Sequence, residues 1–210
     1  MGDKFFILGT GGLAEEVYGW IKSDIKSDKS SVLGFIKLEE DDPQELFGKK
    51  CMSFKEILSQ YSEFNFLPAI ANPKVKKERI EQAISNNGSP ITYIHGSVIL
   101  GENLSIGFGN IINPRCTISS NVKIGNYNLI NCNSSIGHGT KIKNYVSLLG
   151  SVTLNGNVLI QDAATIGSGV IVHPGKKVGK NSNCGIGSVI IRNVEDNVTV
   201  FGNPAKKLNK

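Results

Sequence analysis

Residues 124–142 read IGNYNLINCNSSIGHGTKI, with Ile124, Ile130, Ile136 and Ile142 spaced six apart. The spacing runs on without a slip in both directions. It goes back through Ile118, Ile112, Ile106 and Leu100 to Ile94, and forward through Leu148, Leu154, Ile160, Ile166, Val172, Val178 and Cys184 to Ile190. A small or β-branched residue often stands two positions earlier, as at Val122, Val146, Val158 and Ala164, and glycine often follows, as at Gly125, Gly137 and Gly167. A period of six would scatter apolar side chains around an α-helix and bury no face of it. It suits short strands joined by corners, with β-branched residues inward and Gly, Asn and Ser at the turns. Three hexads close a triangle, and coils stacked about 4.8 Å apart pair each strand with those above and below. About five such coils fit. The period does not give the hand of the coil, and the general rule for parallel crossovers favours right-handed.

The chain's 210 residues suffice for one large or two small domains, and 40% hydrophobic with 20% charged residues is the balance of a globular protein. No apolar run approaches the roughly 20 residues of a membrane span. The opening MGDKFFILGTGG leads into a strand and a glycine turn instead of a signal-peptide core, so a cytoplasmic protein is expected. Cys51, Cys116, Cys132 and Cys184 lack metal-ligand spacing, and Cys184 takes an inward repeat position; buried structural thiols are expected. The net charge of +5 gathers at Lys176, Lys177, Lys180, Lys206, Lys207 and Lys210. These are either solvated lysines or an attraction for a small phosphate-rich ligand, and no recognition motif points to nucleic acid.

Residues 4–8, KFFIL, read as a strand that stops at GTGG, and residues 13–25 follow with helical spacing at Leu13, Val17, Trp20 and Ile21. Such a turn brings backbone N–H groups at a helix N-terminus to a phosphate, and the same pattern also serves a plain tight turn. Residues 31–36, SVLGFI, form a second strand before the acidic loop LEEDDPQE. Where a dinucleotide-binding unit carries an acid for a ribose, this chain has Lys37. Residues 54–61 read as a helix, 65–71 as a strand, and Asn72-Pro73 as the cap and first turn of a helix reaching about Ser85. NNGSP then marks a boundary. The expected organisation is a small α/β domain over residues 1–88, built like half a Rossmann fold, followed by an all-β repeat domain over residues 89–210. A domain of that size suits a mononucleotide or nucleotide-sugar better than a whole dinucleotide.

The histidines, His95, His138 and His173, are 43 and 35 residues apart, so they fall at different points of an 18-residue coil and share no face for a metal. His138 lies two residues past Ile136 at a glycine-flanked corner that projects its side chain outward. An imidazole, ordinarily titrating near pH ~6.5, can take a proton from an amine or hydroxyl at neutral pH.

GTGG after the first strand, YIHGS at the entry to the repeats, SSIGHG midway and FGNPAK at the end together resemble a known family of hexapeptide-repeat acyltransferases. These are the sialic-acid-type sugar O-acetyltransferases and the bacillosamine-pathway nucleotide-amino-sugar N-acetyltransferases. The likeness covers essentially the whole chain. It implies a left-handed parallel β-helix, the exception to the right-handed rule. It also implies a homotrimer with acetyl-CoA in the groove between two subunits, and a nucleotide-linked amino sugar held by the N-terminal domain. His138 is implied as the general base, and Asn131 as lying beside the substrate amine. Gly11, Gly12 and Leu13, with Lys37 and Ala71, are implied around the nucleotide-sugar. Ser147, Gly156, Ser168, Ile186 and Pro204 are implied around coenzyme A. Three positions depart from the family pattern. Gly139 replaces an acidic residue that often follows the base, Ser147 replaces a second histidine, and Lys37 replaces a nucleotide-reading acid.

The implied reaction is direct acyl transfer. His138 takes a proton as a sugar amine attacks the thioester carbonyl, and the Gly156 N–H, one coil above, stabilises the oxyanion. The expected acceptor is the amine, at C4, of a UDP- or dTDP-linked amino-dideoxy sugar for surface polysaccharide or glycan synthesis. Alternatives are O-acetylation of a sugar such as sialic acid, and a non-catalytic sugar-nucleotide-binding scaffold. The retention of GTGG, His138 and GNPAK argues against the scaffold.

Overall fold

The computed structural model describes residues 4–24 and 31–208. The N-terminal part is a six-stranded sheet in which β1 (Phe5–Leu8) lies between β2 (Val32–Ile36) and β5 (Phe64–Pro68), both parallel to it. Helix α1 (Gly12–Ser23) follows β1 directly; Ile25, expected to end it, lies outside the described residues. Ser53 and Glu56 form a reciprocal capping box that starts the short α2 (Phe54–Leu58). Asn72 caps α3 (Pro73–Ser85) by accepting from the Lys74 and Val75 amides, and Pro73 sits in the first turn as the sequence predicts.

Three strands escape the sequence reading. The residues after the acidic loop form a hairpin, β3 (Glu45–Leu46) and β4 (Lys49–Met52), and β4 adds in parallel to β2. Its two turn residues, Phe47 and Gly48, both have positive φ, at 52° and 73°, as a tight two-residue hairpin demands. A phenylalanine there is hard to foresee, and its ring stacks on Tyr18 at 5.4 Å. The NNGSP run, read as punctuation, contributes β6 (Gly88–Pro90), which pairs with β5. The sheet thus crosses the boundary expected at residue 88.

From Tyr93 onward the chain forms a three-sided prism. Each two-residue strand pairs in parallel with the strand 18 residues later, as Leu129↔Ser147 and Ile130↔Leu148 do. The second residue of each strand is the one predicted to point inward, and those from Ile112 to Ile190 are buried in one continuous core. Ile94 and Ile106 are only partly covered and Leu100 is exposed, because no coil lies beneath them. Burying each aliphatic is worth roughly 1.5–3 kcal/mol. The corners repeat a left-handed residue every six positions, filled by Gly139, Gly169 and Gly187, by asparagines, and by Tyr127 and Tyr145. The last coil is two residues short: Asn183 pairs with Thr199, and Lys206–Lys207 folds back antiparallel onto Thr199–Phe201.

The three faces differ. One, here the docked face, carries Tyr93, Ile111 and Leu129 outward, and these pack into a common core with Ile7, Val17, Phe35 and Leu67 of the N-terminal part. Tyr127 and Tyr145, stacked 4.9 Å apart at one edge of this face, pack against the cluster of Phe6, Leu8 and Ile36. This docking supports two bulky residues in the left-handed region. At Ser147 the outward series turns polar, continuing with Thr165 and Asn183, which line an open cleft together with Asn72, Lys74 and Lys77 of the N-terminal part.

Candidate active site

The predicted site residues fall into three groups. Gly11, Gly12, Leu13, Lys37 and Ala71 all follow the carboxyl ends of the parallel strands β1, β2 and β5. The chain leaves β1 for a neighbour on one side and later returns to the other, so the crevice between β1 and β5 is a topological switch point, where open α/β sheets hold ligands. Gly11 is the N-cap of α1, and open space lies where side chains would stand at Gly11 and Gly12. Gly9, with φ 118°, brings its backbone against the Ala69 carbonyl, 3.2 Å from where a Cβ would be, so turn and loop close on each other. Beside Lys37 a cleft of about 520 Å³ is lined by Glu39, Glu40, Phe54, Arg79 and Gln82 among others. Arg79 pairs with Glu39 and donates to Gln82. The Asp42 carboxylate accepts from the Leu38 and Glu39 amides, fixing the loop that forms one cleft wall. Those bonds, with one from Thr10, hold the Asp42 carboxyl below its usual range against the opposing pull of burial.

The second group sits where the chain leaves the docked face for the next one. Asn131 begins that corner; Ser168 and Ile186 stack along it one coil apart, and Ile186 is 69% exposed. The tail carrying Pro204 folds over its upper end, with Gly202 donating to Ser188 and Ala205 to Val189. The Asn131 Oδ1 accepts from Asn113 Nδ2 at 3.0 Å and from the Cys132 amide at 2.7 Å, which fixes the orientation of its amide. Asn113 lies one coil below and was not anticipated; the 18-residue offset is the signal that finds it.

The third group is one corner further on. His138 projects into solvent from a turn between the second and third faces, with Gly156 one coil above it. The ring lies flat against that glycine: a Cβ at Gly156 would be 2.6 Å from His138 Nε2 and 2.8 Å from Cε1. Any side chain here would have to push the imidazole aside, whereas the turn itself does not call for glycine. Among the described residues no acceptor takes the Gly156 N–H, and no hydrogen bond engages the His138 ring. Gly139 is accounted for by its φ of 68° and by Asn157, whose Oδ1 would be 2.2 Å from a Cβ. The Asn157 amide lies where an acidic side chain after the base would begin.

Ser147 requires a correction. It is fully buried beneath the N-terminal part, its hydroxyl donating to the Ala71 carbonyl at 2.6 Å and accepting from Lys76 Nζ at 2.9 Å, so it offers nothing to an acetyl group. Lys76, absent from the sequence reading, is 1% exposed and also donates to the Val146 carbonyl at 3.3 Å. Burial pulls its ammonium down from 10.5 to about 7. Between those values the unfolded chain holds this proton more firmly than the folded one. This contribution to stability is therefore fully present above about 10.5, falls as pH drops toward 7, and is flat below. Lys76→Met abolishes that slope of about 1.4 kcal/mol per pH unit. Thermal unfolding from pH 7 to 10 should show melting temperature, variant minus wild type, highest at pH 7 and shrinking as pH rises.

Cys116 and Cys184 are buried free thiols, pushed by burial up to about 11 and about 12. Among the described residues no three His, Cys, Asp or Glu side chains group as metal ligands, and no helix is long and apolar enough to cross a membrane.

No protein-family model matches the chain. Over 216 aligned residues, 97% of this chain and 96% of the relative, it is 31% identical to GDP-perosamine N-acetyltransferase of Escherichia coli O157:H7. Among solved structures it superposes on a mutant perosamine N-acetyltransferase from Caulobacter crescentus in complex with CoA and GDP-perosamine. The TM-score is 0.89 at 21% identity, covering 100% of this chain and 99% of that one. WeeI from Acinetobacter baumannii AYE superposes with a TM-score of 0.88 at 25% identity, covering 99% and 100%. A hexad prism carrying an outward histidine, with likeness along the full length, defines an acyltransferase. The chain belongs to the hexapeptide-repeat acetyltransferase family, with the sugar N-acetyltransferases as its relatives. Its prism is the one found in left-handed β-helix acyltransferases.

Proposed function

We propose that this protein transfers the acetyl group of acetyl-CoA to the amine, at C4, of a GDP-linked amino-dideoxy sugar used for surface polysaccharide. The observation that carries the reading is the solvent-facing His138 ring seated on Gly156, in a chain similar along its length to a GDP-perosamine N-acetyltransferase. The amine attacks the thioester carbonyl, His138 accepts the proton released as the C–N bond forms, and the tetrahedral intermediate expels coenzyme A as its thiolate. The Gly156 N–H, which has no acceptor among the described residues, is the donor for the oxyanion.

GDP replaces the UDP or dTDP expected from sequence. The relative acts on a GDP-sugar, and the cleft beside Lys37 supports a guanine: the Glu39 and Glu40 carboxylates can accept its N1–H and exocyclic amine, and Lys37 can donate to O6. Phe54 offers a stacking surface. In one chain the crevice, the Asn131 corner and the His138 corner stand apart around the prism, so one substrate can meet all three only if a second subunit supplies a corner. A closed trimer of prisms packed side by side, with a groove between each pair, meets that need. Acetyl-CoA and sugar nucleotides as substrates fit a cytoplasmic enzyme.

The test is mass spectrometry of GDP-, UDP- and dTDP-linked amino sugars incubated with acetyl-CoA and enzyme. The GDP-sugar is expected to be N-acetylated with kcat/KM about 10–100-fold above the others, the worth of one or two hydrogen bonds to charged groups. Acetylation confined to a UDP- or dTDP-sugar would reject the guanine reading. Acetylation on a hydroxyl would reject the amine, and no turnover at all would favour the scaffold.

A further inference from the structure

Lys76 is buried at the seam between the two parts of the molecule, and none of the ion pairs among the described residues includes it. Desolvating an amine is costly, and a methionine would fill the same channel at no such cost, so packing alone does not call for lysine. What the amine does is polar and directional. It donates to the Val146 carbonyl and to Ser147 Oγ, and that hydroxyl passes its own hydrogen to the Ala71 carbonyl. Two acceptors match the two hydrogens of a neutral amine.

The far end of this relay is the loop between β5 and α3. Ala69 in that loop donates to the Leu8 carbonyl and lies against Gly9, so it walls the switch-point crevice opposite the glycine turn. The near end is the strand Ser147–Leu148, whose Leu148 carbonyl accepts from the Asn131 amide. One buried side chain thereby links the crevice wall to the coil that carries Asn131.

We propose that Lys76 is a positioning residue for the sugar nucleotide: acting through Ser147 on the Ala71 carbonyl, it holds the crevice wall in register with the prism. The inference rests on the crevice being the sugar-nucleotide site. It is tested by calorimetric titration of GDP, and by kinetics with the GDP-linked amino sugar, on wild type, Lys76→Met, Ser147→Ala and the double variant. Each single variant is expected to raise the Kd for GDP and the KM for the sugar about tenfold, with a much smaller fall in kcat. The double variant should be no worse than either single one, because both break the same relay. Unchanged Kd and KM in a folded Lys76→Met protein would overturn the inference, as would a loss confined to kcat or additive losses in the double variant. Ser147→Ala decides the matter if Lys76→Met does not fold. Failure of wild type to bind GDP would instead overturn the reading of the crevice, and the inference with it.

Discussion

Replacing His138 with alanine is expected to lower kcat for acetyl transfer about 10²–10⁴-fold, the range associated with a positioned general base. The loss should fall on turnover and not on folding. The ring faces solvent and forms no hydrogen bond among the described residues, so its removal opens no cavity in the core. Acetyl-CoA should still raise the melting temperature of the variant as it does that of wild type. Steady-state kinetics and thermal shift with acetyl-CoA are sufficient to check it. A variant retaining more than a tenth of wild-type kcat would remove His138 from the proton transfer.

Gly156→Ala is expected to be nearly as damaging, for a steric reason. The new methyl would lie 2.6 Å from His138 Nε2, inside any real contact distance, and the backbone there is not left-handed, so alanine itself is tolerated. The imidazole must yield by about an ångström, and displacement on that scale costs on the order of 10²-fold in rate. The expected result is a fall in kcat of about that size, with melting temperature and acetyl-CoA binding close to wild type. Near-normal turnover would show that the ring does not work from its position on Gly156.

Much of this site was legible from residue order because the prism is a counting device. A residue's corner follows from its number modulo 18 and its height from the count of whole coils, so His138 beneath Gly156, and Ser168 beneath Ile186, are legible in the residue numbers alone. The same arithmetic reaches the outward residues as well. Sampling the residue before each aliphatic at intervals of 18 gives Tyr93, Ile111 and Leu129 on one face, against Ser105, Lys123 and Lys141 on another. That contrast marks the face that must be covered. It also gives Asn113 beneath Asn131.

The Ser147 assignment shows where counting stops. Position fixed its height and face, but its environment came from Lys76 and Ala71, 71 and 76 residues away in the chain. The hairpin at Phe47 and the edge strand at Gly88–Pro90 were likewise invisible, one stabilised by a ring stacked on Tyr18 and the other by pairing with β5. What the sequence determined by itself is the prism, its inward residues and the outward histidine, because a repeat makes each coil's contacts local and periodic. Only the tertiary structure decided which face the N-terminal part covers, that Ser147 is sealed beneath it, and that Lys76 joins crevice to coil. Those facts depend on which distant surfaces bury each other, and no period along the chain encodes that.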